Sequence, residues 1–420
     1  DLYVAPIFSS NKHIFMNNFK ATINYINLSG AIYLTLSSIF YYPYQKIGFL
    51  VFGISYLIEI FTDKKWKNIT WNKSTIYYTV LAAFFLLAFV YYPFESTDKY
   101  FWHLISRRLA LLSFAVVGFL GINNKYKVSY FLNSFIISAV GTTLYLLVFR
   151  IGLIEFISNP DRQAIFNLSR IGYVNSHMDF NLYMNFAIVS SWFLLRNKTR
   201  ANKWWQTSFY VFAIILSFTV LYFSDGRVGF ITGLLNMTII TIFELLKFKK
   251  WIGYGLIIAL PVFITYALKH HDRMSVSSIK NEPRLFLWKS GTDVIISKPV
   301  FGWGISNAQE QYDIKRSINA TEEYNARWNH IKILHSHNQF LQTTMEFGII
   351  GLILLLFLYV YPIITLKGNR LFTALLLIPI IIQSFFDVVI TGLNYAGIFG
   401  LILLIIFSMK RDVEIKHINY

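Results

Sequence analysis

Long apolar runs recur along this chain from one end to the other. Each run has about 17 to 25 residues, enough for a helix to cross the roughly 30 Å hydrocarbon layer of a membrane. The runs lack the alternating pattern of outer-membrane strands, and backbone amides in lipid must be satisfied internally, so we expect helices. The twelve runs lie at 22–43, 45–61, 74–92, 104–122, 128–149, 175–195, 204–222, 227–246, 251–268, 338–361, 370–388 and 391–409.

The composition excludes an ordinary soluble protein. Of the 420 residues, 55% are hydrophobic and only 14% are charged, whereas soluble domains carry about 25% charged residues. We therefore predict an all-α integral membrane protein with about twelve transmembrane helices. The predicted organisation is N-terminal helices 1–6 in residues 1–203, helices 7–9 in 204–268, a loop domain in 269–337 and C-terminal helices 10–12 in 338–420.

The distribution of Lys and Arg predicts the orientation. If the N-terminus is cytoplasmic, every alternate loop is basic, as the positive-inside rule requires. The net charge of +17 then reflects topology and an attraction to anionic lipid head groups, and no basic stripe with interleaved aromatics indicates a nucleic-acid partner. The residues on the cytoplasmic side are Lys12, Lys20, Lys64, Lys65, Lys67, Lys73, Lys125, Lys127, Arg196, Lys198, Arg200, Lys203, Lys247, Lys249, Lys250, Lys367, Arg370, Lys410, Arg411 and Lys416.

The longest polar interruption, 269–337, falls on the opposite, external side. Its mixture of charged residues and tryptophans is typical of short amphipathic helices that lie on or near a membrane surface. Residues 284–304 predict such a helix, ending near Ser297-Lys298-Pro299 and followed by a Gly-Trp-Gly turn. This segment is the part of the chain most suited to forming a small external domain.

Ionisable residues collect on the external side, set against or inside the apolar runs. Such residues are costly in a membrane and usually line a cavity or a pathway. Because they face one side only, they predict a pocket open to the outside and not a path for ions or protons. They are His103, Arg107, Arg108, Arg150, Arg162, Arg170, His177, Asp179, Asp225, Arg227, Arg284, His335, His337, Glu346 and Asp387.

The most informative motif is His337-Asn338, followed after nine residues by Gly348-Ile-Ile-Gly351. On a continuous helix these residues would share one stripe, with the histidine at the wet end and the glycines admitting a neighbouring helix. A neutral imidazole there can take a proton from a sugar hydroxyl, because its ordinary pKa lies near working pH. His335 and Asn338 could orient this base or the substrate. The alternative is a helix that simply begins with polar caps.

Two arginines are candidates for binding phosphate, since a guanidinium fork matches phosphate oxygens. Arg227 opens a membrane run directly after an external turn, and Arg284 begins the external helix with Trp288 one turn further on. Each has a structural alternative. Asp225 could pair with Arg227, and Arg284 with Trp288 could be an ordinary interfacial pair.

The other external ionisable residues are weaker candidates for a functional role. Arg170 is a weaker candidate for phosphate binding, and Arg107 and Arg108 are expected to snorkel towards the membrane surface. Glu346 lies two turns into its helix, where it could pair with an arginine or contact substrate. The sequence does not separate these two roles.

Several kinds of chemistry find no support in the sequence. The chain has no cysteine, which excludes thiol chemistry. His335-Ser-His337 lacks a third and fourth ligand at a usual spacing, so no metal is expected. Glycine-rich phosphate loops are also missing, so we expect no nucleotide and no other cofactor.

The chain resembles the O-antigen ligase and O-antigen polymerase superfamily. The resemblance lies in its many membrane spans, in a large external loop late in the chain, and in the motif His-Asn-x9-Gly-x-x-Gly at the start of the next helix. The matching residues are His337, Asn338, Gly348 and Gly351. Arg227-Val-Gly-Phe-Ile resembles the family's Arg-x-x-x-Leu helix start, with Ile231 in place of Leu. Residues 284–304 resemble its Arg-to-Trp-to-Pro-x-x-Gly-x-Gly segment. The specific resemblance covers about 205–355, and Arg170 follows a looser tendency of the family.

The resemblance implies a multi-pass protein of the bacterial inner membrane whose active site faces the periplasm. It implies a glycosyltransferase that takes a glycan from undecaprenyl diphosphate and needs neither a cofactor nor a metal. His337 would be the general base, and Arg227, Arg284 and Arg170 would bind the diphosphate, with Asn338 and His335 also contacting substrate.

Two glycan acceptors are compatible with this chemistry, and a transport activity is a third, non-enzymatic alternative. A ligase would transfer the glycan to a lipid A-core acceptor, and a polymerase would add it to another lipid-linked repeat. One large late loop favours the ligase. A transporter of lipid-linked sugars would need two related halves, and the sequence has no internal repeat.

Overall fold

The computed structural model describes residues 7–39, 42–95, 98–121, 127–152, 154, 177–197, 203–224, 226–255, 283–320, 335–390 and 393–414. These residues form helices and connecting segments with no strand among them, and seven helices are long and apolar enough to cross a membrane. The prediction of an all-α integral membrane protein is confirmed. The helices are α1 Ile7–Ser37, α2 Tyr42–Asp63, α3 Lys73–Tyr91, α4 Asp98–Leu120, α5 Val128–Tyr145, α6 His177–Arg196, α7 Trp204–Phe223, α8 Arg227–Phe248, α9 Pro283–Ser297, α10 Ile305–Asn319, α11 Gln339–Thr365, α12 Arg370–Ser384 and α13 Leu393–Glu414.

The predicted runs and the observed helices coincide over most of the chain. Each run except 251–268 overlaps one of α1–α8 or α11–α13, and that run lies mostly outside the described residues. Neither α6 nor α12 is among the seven candidate spans. The count of twelve crossings therefore stays a prediction.

Helix α6 lies at the centre of the bundle. Every side chain from Asp179 to Trp192 is buried, and the helix packs against α5, α7, α8 and α12. Because protein surrounds it, α6 tolerates polar residues such as Asn181 and Asn185 that would be costly against lipid. Asn185 donates hydrogen bonds to the backbone oxygens of Asn181 (2.9 Å) and Gly229 (3.1 Å), which ties α6 to the start of α8.

One end of the bundle, which we call the basic end, gathers Lys65, Lys73, Arg196 and Lys247. Arg196 and Lys247 lie over the Phe243 ring at 4.6 and 4.3 Å, and Lys73 reaches the Thr365 carbonyl oxygen at 3.5 Å. These contacts bring together the ends of α6, α8 and α11 and the start of α3. Among the described residues, the helix ends that carry Lys73, Arg196 and Lys247, all predicted to be cytoplasmic, thus make contacts at this end of the bundle.

The segment predicted to be external, which we call the external segment, contributes α9 and α10, joined by the turn 298–304. Helix α9 ends at Ser297, and Gly302 and Gly304 have φ values of +73° and +85°, so the predicted helix and Gly-Trp-Gly turn are confirmed. Glu95, just after α3, accepts hydrogen bonds from the backbone N–H groups of Ile305 (2.5 Å), Ser306 (2.9 Å) and Asn307 (3.0 Å). This carboxylate satisfies the free N–H groups at the start of α10 and anchors the external segment to the bundle.

Candidate functional site

The external turn docks into a break in helix α11. Gly348 has φ 60° and ψ −156°, a conformation that is essentially restricted to glycine. The break frees the carbonyl oxygens of Met345 and Glu346, which accept hydrogen bonds from the N–H groups of Trp303 and Gly304, each at 2.9 Å. A Cβ atom at Gly348 would overlap the Val300 carbonyl oxygen, so the backbones can approach this closely only at a glycine.

The stretch His335-Ser336-His337-Asn338 precedes α11 as a tight turn and not as its first helical turn. His337 has φ +48°, a left-handed conformation that few residues with a side chain adopt. The His337 N–H donates to Nδ1 of His335 at 3.2 Å, and Asn338 Oδ1 accepts from the Leu341 N–H at 3.0 Å as the cap of α11. Asn338 thus acts as a helix cap, and the turn sets the two imidazoles side by side with ring centroids 4.2 Å apart.

Asp387 faces the two histidines from α12. That helix has 15 residues, about 22 Å at 1.5 Å per residue, so it ends short of the roughly 30 Å hydrocarbon thickness. Asp387 follows this end and is 4% exposed. Its Oδ1 lies 3.6 Å from Nδ1 of His337 and 3.8 Å from Nε2 of His335. A buried carboxylate therefore faces one ring nitrogen of each imidazole, at distances longer than a hydrogen bond.

The protonation states follow from these contacts. The His335 ring is recessed, although 37% of its side-chain surface stays accessible. Burial, together with the nearby His337 and Arg107, lowers the pKa of His335 to about 4, whereas Asp387 acts in the opposite direction. Neutral His335 uses Nδ1 as an acceptor, so its proton is assigned to Nε2. In His337 the nitrogen nearest Asp387 is Nδ1, so the tautomer with its proton on Nδ1 is assigned, as in a catalytic triad.

The same three residues could hold a metal ion. One ligand atom from each of His335, His337 and Asp387 lies within 4.8 Å of the others, and nitrogen and oxygen donors of this kind suit zinc. The sequence shows no third ligand at a usual spacing, but the structure brings Asp387 to the two histidines from the end of a distant helix. Metal binding would occupy His337, so the two roles compete.

Helix α9 covers the turn from outside. Trp288 Nε1 donates to the His337 carbonyl oxygen at 3.5 Å, and its ring packs against Phe386 with centroids 6.2 Å apart. Arg284 is half-buried on the same helix one turn earlier. Trp288 thus contacts both the histidine turn and the residue next to Asp387, and it places the Arg284 helix beside the site.

Of the other two candidate arginines, Arg227 starts α8 but its side chain is not described, and Arg170 lies outside the described residues. The backbone still locates the start of α8. The ring centroids of Phe193 and Phe372 lie 3.9 Å apart, so the end of α6 meets the start of α12. The other ends of these helices then lie at the side of Asp387, and Gly226 packs against Asn181 near the start of α6.

A buried ion pair lies next to the site. Arg108 Nη2 and Glu346 Oε1 are 2.7 Å apart, with 4% and 0% of the residues exposed. Glu346 therefore takes the first of its two predicted roles, pairing with an arginine. The prediction that Arg108 snorkels is wrong, because a buried partner on α11 compensates its charge, whereas Arg107 is exposed.

The predicted helical stripe is also wrong. His337 precedes the helix, and Gly348 interrupts it, so the two do not share a helix face. Gly348 admits the backbone of the external turn, not a neighbouring helix. Sequence reasoning placed Asp387 among the external ionisable residues but gave it no role in the site. Nothing in a single sequence shows that this lone acid, near the end of an apolar run, lies next to His337.

Comparison with known proteins gives a family match over the middle of the chain. Residues 164–356 match the family model described as O-antigen ligase. The matched segment is less than half of the chain, and over it the chain is similar to the O-antigen ligase family. The matched segment contains both histidines, all three candidate arginines and the Gly348 break, whereas Asp387 lies beyond it.

Curated relatives support the same family. Three proteins named "Putative polysaccharide ligase", from Rickettsia felis, Rickettsia typhi and Rickettsia bellii, are 32%, 34% and 28% identical to the chain over 171, 155 and 206 residues. These alignments cover 38%, 34% and 46% of the chain. They span 41%, 37% and 48% of the relatives, so the chain spans less than half the length of the curated proteins it matches.

Proposed function

We propose that this protein is an O-antigen ligase that transfers a glycan from undecaprenyl diphosphate to a lipid A-core acceptor on the periplasmic face of the bacterial inner membrane. The observation that carries the proposal is the pairing of His337 with buried Asp387 beside the docked external turn, in the chain of a family whose model is described as O-antigen ligase. The segregation of basic residues at the opposite end of the bundle supports the orientation.

In this reaction His337 Nε2 takes the proton of the acceptor hydroxyl as its oxygen attacks the anomeric carbon. The new glycosidic C–O bond forms while the bond to the diphosphate breaks, and the polyprenyl diphosphate leaves with the electron pair. Asp387 stabilises the resulting imidazolium, as the carboxylate does in a catalytic triad. Arg284 and Arg227, with Arg170, neutralise the departing diphosphate, which is already a good leaving group and requires no nucleotide.

The test uses purified protein with a labelled lipid-linked glycan and lipid A-core acceptor, without ATP. We expect transfer that persists in chelator and falls by roughly 10²–10⁴ in His337→Ala. His103→Ala, which removes an exposed histidine on α4, is the matched control and should keep full activity. Loss of transfer in chelator, restored by zinc, would instead assign His335, His337 and Asp387 to a metal.

The alternative is an O-antigen polymerase, which shares the donor and the proposed base. A deletion strain separates the two activities. Long glycans stranded on undecaprenyl diphosphate indicate a ligase, whereas single repeats attached to the core indicate a polymerase. If the purified protein moves lipid-linked sugar across a bilayer and forms no glycosidic bond, the third candidate, a transporter, replaces both.

A further inference from the structure

We propose that Arg108, Glu346 and Gln342 form a positioning network that holds the turn 335–338 in the conformation that presents His337 to Asp387. The inference rests on the proposed role of His337 as a base. It assigns a function to three residues that do not touch the reacting atoms in that mechanism. They act through the backbone of Ser336.

The turn needs such support because its conformation is unfavourable by itself. His337 adopts φ +48°, and a residue with a side chain remains in this region only when its surroundings hold it there. Local contacts contribute, since Ser336 Oγ donates to the Asn338 carbonyl oxygen at 3.0 Å. This contact connects residues of the turn to one another, and the Asn338 cap fixes only the last residue of the turn to α11. Ser336 therefore needs a connection of its own to the helix.

Gln342 makes that connection. Its Oε1 accepts from the Ser336 N–H at 3.4 Å and lies 3.3 Å from the Ser336 hydroxyl, while its Nε2 donates to Glu346 Oε1 at 2.9 Å. Gln342 is 6% exposed, and Ser336 and Glu346 are 0% exposed. Buried hydrogen bonds of this kind specify one arrangement, because leaving any of these groups unpaired is costly.

The charge at position 346 decides which way the Gln342 amide points. An ionised carboxylate only accepts hydrogen bonds, so it must face the NH2 group and leave the amide oxygen for the Ser336 N–H. Arg108 Nη2 donates to the same Glu346 oxygen at 2.7 Å, so that oxygen is shared as an acceptor between the guanidinium and the Gln342 NH2 group. The orientation of the histidine turn thus depends on a guanidinium that comes from α4, 238 residues away from Glu346 in sequence.

The central test is Gln342→Met, which keeps the volume and removes both amide hydrogen bonds. A displacement of about 1 Å at a catalytic group can cost as much as 10²-fold, so we expect kcat to fall roughly 10- to 100-fold. The KM for the lipid-linked donor should stay within about twofold, and the thermal midpoint in detergent should stay close to that of the wild type. Gln45→Met, which alters a glutamine of 1% exposure on α2, is the matched control and should keep kcat.

A double mutant separates positioning from a general structural effect. If the network acts through His337, Gln342→Met should have little further effect in a His337→Ala background, since coupled residues are non-additive. An undiminished additional loss in that background overturns the proposal. Should Gln342→Met fail to fold, Ser336→Ala takes its place, because it removes the hydroxyl contact from the other side.

A second readout does not depend on the reaction. The rate at which diethyl pyrocarbonate modifies His337, followed by mass spectrometry, should change several-fold in Gln342→Met, while modification of His103 stays unchanged as an internal reference. Unchanged modification of His337 overturns the network. If the wild type shows no glycosyl transfer but the modification rate still changes, the proposed function fails and the network stands.

Discussion

Both ends of the bundle bury an ion pair, but the two pairs differ in how far apart their residues lie in the sequence. At the basic end Lys65 Nζ lies 2.6 Å from Glu59 Oε1, and these residues flank the end of α2. At the site end Arg108 and Glu346 approach to 2.7 Å from α4 and α11. The first pair can form within one helix end, whereas the second requires the assembled bundle.

The surroundings of the two pairs differ as well. The Lys65 ammonium also donates to the Gly121 carbonyl oxygen at 2.7 Å and lies 4.5 Å from the Tyr56 ring centroid, so its contacts join α2 to the end of α4. The contacts of Glu346 lead through Gln342 to the histidine turn and through its carbonyl oxygen to the external turn. The comparison indicates a structural pair at the basic end and a pair coupled to function at the site end.

The sharpest test of this comparison removes one cation from each pair. Lys65→Met and Arg108→Met should each lower the free energy of unfolding by about 3–5 kcal/mol, because each leaves a carboxylate buried without its partner. Denaturant unfolding in detergent measures this loss. Activity per folded molecule should survive in Lys65→Met and fall in Arg108→Met. Equal activity losses in the two variants would contradict the distinction between the ends.

The next effect concerns Asp387 at the site end. Asp387→Asn removes the charge that holds and stabilises the His337 imidazole, and we expect activity to fall roughly 100-fold, about 2.7 kcal/mol in the activation free energy. The variant should fold, since asparagine has nearly the same volume. Asp313→Asn, on α10 in the external segment, is the control. Full activity in Asp387→Asn would remove the carboxylate from the mechanism.

A smaller effect is expected from the docking of the external turn. Gly348→Ala forces a side chain into a glycine-only conformation, which costs about 1–3 kcal/mol, and the new Cβ would overlap the Val300 carbonyl oxygen. Thermal unfolding in detergent should show the loss together with reduced activity. Gly53→Ala is the matched control, because a Cβ there meets nothing within 4 Å. A stable and active Gly348→Ala would show that the break in α11 is dispensable.

The smallest effect is the pH dependence due to His335. Its pKa is about 4 in the folded protein against about 6.5 when unfolded, so the unfolded state binds more protons between these values. Stability should therefore decrease as the pH falls from about 6.5 towards 4. In His335→Gln the drop in Tm between pH 7 and pH 5 should be smaller by about 1–3 °C. His103→Gln should retain the wild-type drop, and an unchanged profile in His335→Gln would argue against a neutral buried ring.

The sequence was sufficient for features that depend on one segment at a time. Helix α11 starts within a residue of the predicted run, α9 ends at the predicted Ser297, and Gly302 and Gly304 form the expected turn. Prediction failed where two distant segments meet. Arg108 was expected at the membrane surface because its partner, Glu346, lies on another helix. Gly348 was expected to admit a neighbouring helix because the sequence does not show that the turn 298–304 packs against it.

The sequence alone determined that the chain lies in a membrane and that its apolar segments are helices, because apolar segments of this length must be helical in lipid. The placement of Lys and Arg predicts the direction in which each helix crosses. Tertiary structure alone decided which polar groups meet, because pairing depends on the rotation and depth of packed helices. The contacts of His337 with Asp387 and of Arg108 with Glu346 depend on how α4, α11 and α12 pack against one another. A shift of one residue on one of these helices rotates its side chains by about 100°, which would separate the pair to which that helix contributes without changing the hydrophobic pattern.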